Sequence, residues 1–178
     1  MRAPPPVEET SQEMITADST GDAEKQMLRH TLATLAYRSR KPLLGAPNDF
    51  ATLRISEHSR TPGEILAHMC DLFDWALCLA RGDHIWNDST PGSWNDDVGR
   101  YFNALARFDE YLASNKPLGR TPGNLFQGPV ADALTHLGQI SLMRRVAGSP
   151  VRGESYALAE ITIGRVGTEQ TPPNREFD

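Results

Sequence analysis

An all-α fold, four helices followed by a non-helical C-terminal tail, is what this sequence predicts, on three observations. Apolar residues recur at three- and four-residue spacing in four separate stretches. Proline and glycine bracket two of those stretches in the order that starts and stops helices. The last stretch, VRGESYALAEITIGRVGTEQTPPNREFD, is too glycine-rich and irregular for a fifth long helix.

The first helix is predicted from about Asp22 to Ser39, with Leu28, Leu32, Leu35 and Ala36 as its apolar stripe. Lys41-Pro42 ends it, and Gly45-Ala46-Pro47-Asn48-Asp49 is a loop signal. A long connection to about Arg60 follows, where Phe50, Leu53 and Ile55 pack locally. The second helix has the clearest start. Thr61 caps, Pro62 takes the first position and Glu64 completes a capping box. Ile65, Leu66, Met69, Leu72, Phe73, Ala76, Leu77 and Ala80 give it a broad apolar face, and Gly82 stops it. The third helix starts near Ser93, supported by Asp96, and carries Val98, Phe102, Leu105, Phe108 and Leu112 to about Ala113. SNKPLGRTPGN reads as a connection. The fourth helix begins near Gly128-Pro129 and ends before Gly148-Ser149-Pro150, with Ala133, Leu134, Leu137, Ile140 and Val146 facing the core. In the tail, Tyr156, Leu158, Ile161, Ile163 and Val166 are apolar enough to lie across the helices, at least to about Gly167.

A chain of 178 residues, 39% hydrophobic and 23% charged, suits one domain with a substantial core. The boundaries read as a flexible lead-in over 1–20, the helical domain over 21–170 and a flexible end over 171–178. A net charge of -5 disfavours nucleic acid as a partner. Arg144, Arg145 and Arg152 form a small basic cluster, read as favourable charge at a helix C-terminus. Cys70 and Cys78 lie on one predicted helix and cannot bridge within it. They read as buried small hydrophobes in a reducing compartment, which with the absence of a secretory signal leads us to expect a cytoplasmic protein. No apolar run is long enough to span a membrane.

The chemistry-bearing residues are His68 on the second helix and Asp132 with His136 on the fourth. Asp132 and His136 are one helical turn apart and share a face. Taken singly each has a plain explanation: His68 as a hydrogen-bonded core residue, Asp132 as a carboxylate favoured in a helix's first turn. Together they change the reading. Two imidazoles on core-facing stripes and a carboxylate a turn away would be costly to bury unsatisfied. One divalent ion satisfies all three and keeps open positions, a donor set that suits Zn, Fe(II), Ni or Mn. Glu64, Asp71 and Gln139 are placed to orient the imidazoles, Glu64 less so because of its capping role. His30, His58 and His84 read as surface or packing residues. No G-x-S-x-G and no glycine-rich phosphate loop after a strand is present, and serine catalysis is not expected.

At these residues the sequence resembles the DinB-like (YfiT-like) metalloenzyme superfamily. The resemblance runs from about Leu28 to Gln170. It rests on TPGEILAHMCDLFDWAL, LTHLGQISLMRRVAGSPV and the tail phrase AEITIGRVGTEQ. It implies an up-down-down-up four-helix bundle, often a homodimer, and a metal on three histidines: one from the second helix and an H-x-x-x-H pair from the fourth. His68 matches the first and His136 the last, whereas Asp132 stands where that pattern has histidine. The resemblance further implies thiol transfer or related hydrolase chemistry on a small electrophilic molecule, with a low-molecular-weight thiol as partner. The alternative is a non-enzymatic bundle that binds a small apolar ligand or dimerises, with Trp75, Trp86 and Trp94 as contact residues.

Overall fold

A computed structural model describes the backbone of residues 9–177 and the side chains of residues 21–177. Four long helices carry the fold: α1 (Glu9–Leu43), α2 (Pro62–Ala80), α3 (Trp94–Ala113) and α5 (Ala131–Val146). A short α4 (Pro122–Leu125) leads into α5 through a π-turn, Phe126–Val130. The described residues are all-helical apart from loops and one isolated β-bridge, Glu154 to Glu176, with no strand. No helix among them is long and apolar enough to cross a membrane.

Helix α1 begins at Glu9, well before the expected start at Asp22. No proline follows Pro6 until Pro42, and Glu9, Gln12, Glu13, Met14 and Ala17 are all good helix formers. Residues 1–8, the start of the expected lead-in, lie outside the described residues. Leu28, Leu32, Leu35 and Ala36 are buried as the spacing predicts. The helix runs through Pro42, which has no N–H to give to the turn before it. Its last carbonyls are met from elsewhere. Arg144 donates from Nη1 to Pro42 O at 3.0 Å and from Nη2 to Gly45 O at 3.1 Å. Trp94 Nε1 donates to Leu43 O at 3.0 Å. Arg144 also closes its own helix through Ser149 O, so the expected C-terminal charge serves two helix ends at once.

Helix α2 starts as its sequence dictates: Glu64 N donates to Thr61 Oγ1, and Thr61 N donates to Glu64 Oε2 at 2.7 Å. It ends in a Schellman motif, Gly82 N to Leu79 O and Asp83 N to Cys78 O, with Gly82 at φ +96°. Gly119 packs directly on that turn, its N–H donating to Ala80 O at 2.8 Å. A Cβ on Gly119 would lie 2.2 Å from Gly82 Cα. The connection after Gly82 turns back along α2, and its Ser89 donates from N and Oγ to buried Asp71, each at 2.8 Å.

Ser93 caps α3, accepting from Asp96 N, and all five predicted core residues of that helix are buried. Contacts along α2 and α3 ascend together: Cys70 Sγ reaches Asp97 O, Asp74 reaches Arg100 and Arg107, and Arg81 lies over Tyr111. Helix α1 meets α3 in the opposite order, Ser39 on Tyr101 and Arg29 on Asp109.

The largest departure from expectation is the start of the last helix. Thr121 caps α4, with Pro122 at its first position, ahead of the predicted start at Gly128-Pro129. Pro129 lacks an N–H and would crowd the carbonyl four residues back. The widened π-turn over 126–130 accommodates it without ending the helix. Ala133, Leu137 and Ile140 are buried and Leu134 partly so. Val146 is exposed in the final turn, and Met143 takes its expected place in the core.

The tail is non-helical save for one turn at Tyr156–Leu158, and it lies on α1. Val166 is buried and Tyr156 stacks under Arg38, whereas Leu158 and Ile163, expected as packing residues, are exposed. Residues 171–177, expected as a flexible end, are tied back. Ser155 N donates to Arg175 O, Phe177 N to Gly153 O, and Lys41 pairs with both Glu154 and Glu176.

Candidate metal centre

Helix α2 carries His68 two turns past its cap, and α5 carries Asp132 and His136 on its first two turns. Asp74 and Arg100 join α2 to α3, and α5 follows directly on the π-turn with Asp132 and His136 both facing His68 of α2. The two imidazole rings lie 4.9 Å apart, centre to centre, at right angles. The Asp132 carboxylate straddles them: Oδ2 is 3.4 Å from His68 Nε2 and Oδ1 is 3.4 Å from His136 Nε2. One ligand-type atom from each residue falls within 4.8 Å of the other two, so the group could hold a metal ion. The histidine side chains are 17% and 12% exposed and that of Asp132 is 47% exposed, so the imidazoles are enclosed and the carboxylate forms the open side.

The fit of a cation follows from the donor atoms. His136 Nδ1 and Gln139 Oε1 are 2.7 Å apart, and an amide oxygen can only accept, so Nδ1 carries the proton. In neutral His136 the Nε2 lone pair then faces a carboxylate oxygen, acceptor against acceptor. A second proton on the ring would pull that contact in to about 2.7–2.9 Å, the length of a charge-assisted bond. At 3.4 Å it is too long for that. Two donors on one tetrahedral ion with bonds of about 2.1 Å stand about 3.4 Å apart. The two observed separations, each to a different oxygen of the carboxylate, are near that edge, and the three ligand atoms all lie within 4.8 Å of one another. Burial, first, and the positive charge of Arg60 hold the His68 imidazole below the usual histidine range, against the opposing pull of Asp132. His68 is therefore neutral at pH 7, the form that ligates.

Of the three expected orienting residues, Gln139 alone reaches an imidazole. Asp71 is turned the other way, toward Ser89 and Arg100, because it is buried against the loop and α3. Glu64 is taken up by the Thr61 cap and by Arg54. His30 and His58 are exposed, and His84 packs edge-on to Trp75.

Trp86 is the residue that sequence reasoning placed only in the alternative. Its ring meets His68 at 5.5 Å and Trp75 at 5.7 Å, both edge-on, so the returning loop lays an indole beside the site. Trp75 Nε1 is buried with no acceptor among the described residues, under the π-turn at Gly128. Beside His68 opens a cavity of about 360 Å³, walled by Arg60, His58 and Glu57 from the first connection and by Asp88 and Ser89 from the loop. Comparison with protein-family models, curated proteins and solved structures gives no match.

Proposed function

We propose that this protein is a metal-dependent enzyme whose divalent ion is held by His68, Asp132 and His136. The carrying observation is the carboxylate set 3.4 Å from two imidazole nitrogens, one of which presents a lone pair to it. A cation there supplies Lewis acidity, lowering the pKa of a water or thiol that joins it. The chain's own residues do the rest. Gln139 fixes the His136 tautomer, burial keeps His68 unprotonated, and Trp86 shields one flank from solvent. The cavity beside His68 is of a size that suits a small molecule, and its polar lining suits a hydrophilic one.

The reading we favour within this is the DinB-like one: an up-down-down-up bundle that transfers a low-molecular-weight thiol, or water, to a small electrophile. The parallel run of α2 with α3 and the shared end of α1 and α5 at Arg144 support that topology. Zn, Ni, Fe(II) and Mn all suit two imidazoles and a carboxylate.

Protein purified without an affinity tag should carry close to one equivalent of a divalent metal by mass spectrometry, lost in His68→Ala and in His136→Ala. The metal-loaded protein should accelerate attack of 2-mercaptoethanol on 1-chloro-2,4-dinitrobenzene, or hydrolysis of 4-nitrophenyl acetate, and His136→Ala should abolish the acceleration. A metal content under about a tenth of an equivalent that does not rise on incubation with Zn²⁺, Ni²⁺ or Mn²⁺ removes the metal reading. A loaded protein inert to both reagents removes the chemistry and leaves the site.

A further inference from the structure

On the far side of α5 from the metal centre lies a second cavity, about 500 Å³, closed by α1 on one flank and by the tail on the other. We infer that it binds a small organic anion with an apolar body.

Its polar lining is cationic in a chain of net charge -5. Arg38, Arg145 and Arg152 reach it from α1, α5 and the tail. One carboxylate lines it, and that one is committed elsewhere: Glu154 is buried and ion-paired with Lys41. Just outside, Glu176 is divided between Lys41 at 2.5 Å and Arg152 at 3.4 Å. Arg38 is held flat, its guanidinium carbon 4.1 Å from the centre of the Tyr156 ring. That stacking fixes the guanidinium plane while leaving its N–H donors to an oxygen anion. Arg145 has no intramolecular partner among the described residues and stands exposed at the rim. Arg38 and Arg145 therefore bring positive charge to this place that no carboxylate among the described residues meets.

The remaining wall is apolar. Leu134 and Leu137 form the floor on α5, and Val151, Tyr156 and Phe177 come from the tail. Gly138 and Ser141, on the α5 face, leave the width open, and a Cβ on Gly138 would meet nothing within 4 Å. An apolar body against leucine and aromatic side chains, with its charge among guanidiniums, satisfies both halves of the lining.

The test is a pair of probes with the same rings: 8-anilino-1-naphthalenesulfonate, an anion, and N-phenyl-1-naphthylamine, which is neutral. The full chain should bind one equivalent of the anion, read by fluorescence, with a Kd below about 100 µM. The neutral probe should bind at least about tenfold more weakly, and Arg145→Gln should weaken the anion about tenfold. Gly138→Trp should block it by filling the cavity, while His68→Ala should leave it unchanged, which separates this site from the metal centre. If Gly138→Trp fails to fold by circular dichroism, Arg145→Gln alone decides. Absence of saturable binding, equal affinity for the two probes, or wild-type affinity in Arg145→Gln would overturn the inference. So would a dimer in sedimentation that Gly138→Trp dissociates with no probe bound, since a second copy of the chain would then fill the cavity.

Discussion

Replacing Gln139 by Ala should weaken metal binding about 10- to 100-fold, or roughly 1.4–2.7 kcal/mol. Gln139 makes no other side-chain hydrogen bond among the described residues and lies exposed on α5, one turn past His136. Its contribution is the bond from His136 Nδ1 at 2.7 Å, which keeps the proton on Nδ1 and the lone pair on Nε2. Without it the imidazole can take the other tautomer, whose Nε2–H would donate to Asp132, or turn about its Cβ–Cγ bond, and either change takes the Nε2 lone pair away from a cation. Since the side chain is exposed, the metal-free protein should melt within about 0.5 kcal/mol of wild type. Gln139→Glu puts a stronger acceptor in the same place, makes Nε2 more basic and should retain or tighten the metal. Competition against a chromophoric chelator gives all three affinities, and denaturation in excess EDTA gives the stabilities. Equal affinity for wild type and Gln139→Ala would refute the tautomer argument. Equal weakening in Gln139→Ala and Gln139→Glu would show that the amide's N–H, not its oxygen, meets the ring.

Arg144→Met should lower stability by about 3 kcal/mol or more, because it strands the carbonyls of Pro42, Gly45 and Ser149 at a helix–helix junction. A melting temperature within about 2 °C of wild type would contradict that. Gly119→Ala should cost about 2–4 kcal/mol, since the new methyl would lie 2.2 Å from Gly82 Cα and backbone must move to admit it; an unchanged urea midpoint would show that the turn gives way freely. Burial pushes the Cys70 thiol up to about 12. Its folded pKa is raised, so its contribution to stability is complete below the unfolded value near 9 and lost as pH climbs from there toward 12, at about 1.4 kcal/mol per unit. Urea midpoints at pH 8, 9 and 10 should fall more steeply for wild type than for Cys70→Ala, and parallel slopes would be the contrary result. The same burial predicts that iodoacetamide labels Cys78 and spares Cys70 in folded protein at pH 8.

Much of the fold was legible because its signals are local. Thr61, Pro62 and Glu64 fix the start of α2 through bonds within one turn, and Gly82 and Gly148 stop two helices by adopting positive φ. The start of the last helix has a local signal too, since Thr121-Pro122-Gly123 repeats Thr61-Pro62-Gly63. Pro129 competes with that signal, because proline is expected at a helix start and a π-turn that absorbs an internal proline leaves no local mark. The candidate centre was readable from one spacing, Asp132 to His136, and one apolar stripe around His68. Its orienting residues were separable only in three dimensions. Gln139 lies on the same helix as its imidazole, whereas Asp71 turned to a loop whose path no short-range pattern encodes. Trp86 joined the site by that same path. The arginine-lined cavity needed the tail's course across α1, which depends on Lys41, Glu154 and Glu176 meeting over long sequence separations.

The most direct test of the metal centre is anomalous diffraction at the absorption edge of the ion in a zinc- or nickel-soaked crystal. A single strong peak should lie about 2.0–2.2 Å from His68 Nε2, His136 Nε2 and one oxygen of Asp132. A soaked crystal with no peak there, or with Asp132 bonded to a protonated His136 in its place, would contradict the proposal that these three side chains grip one cation.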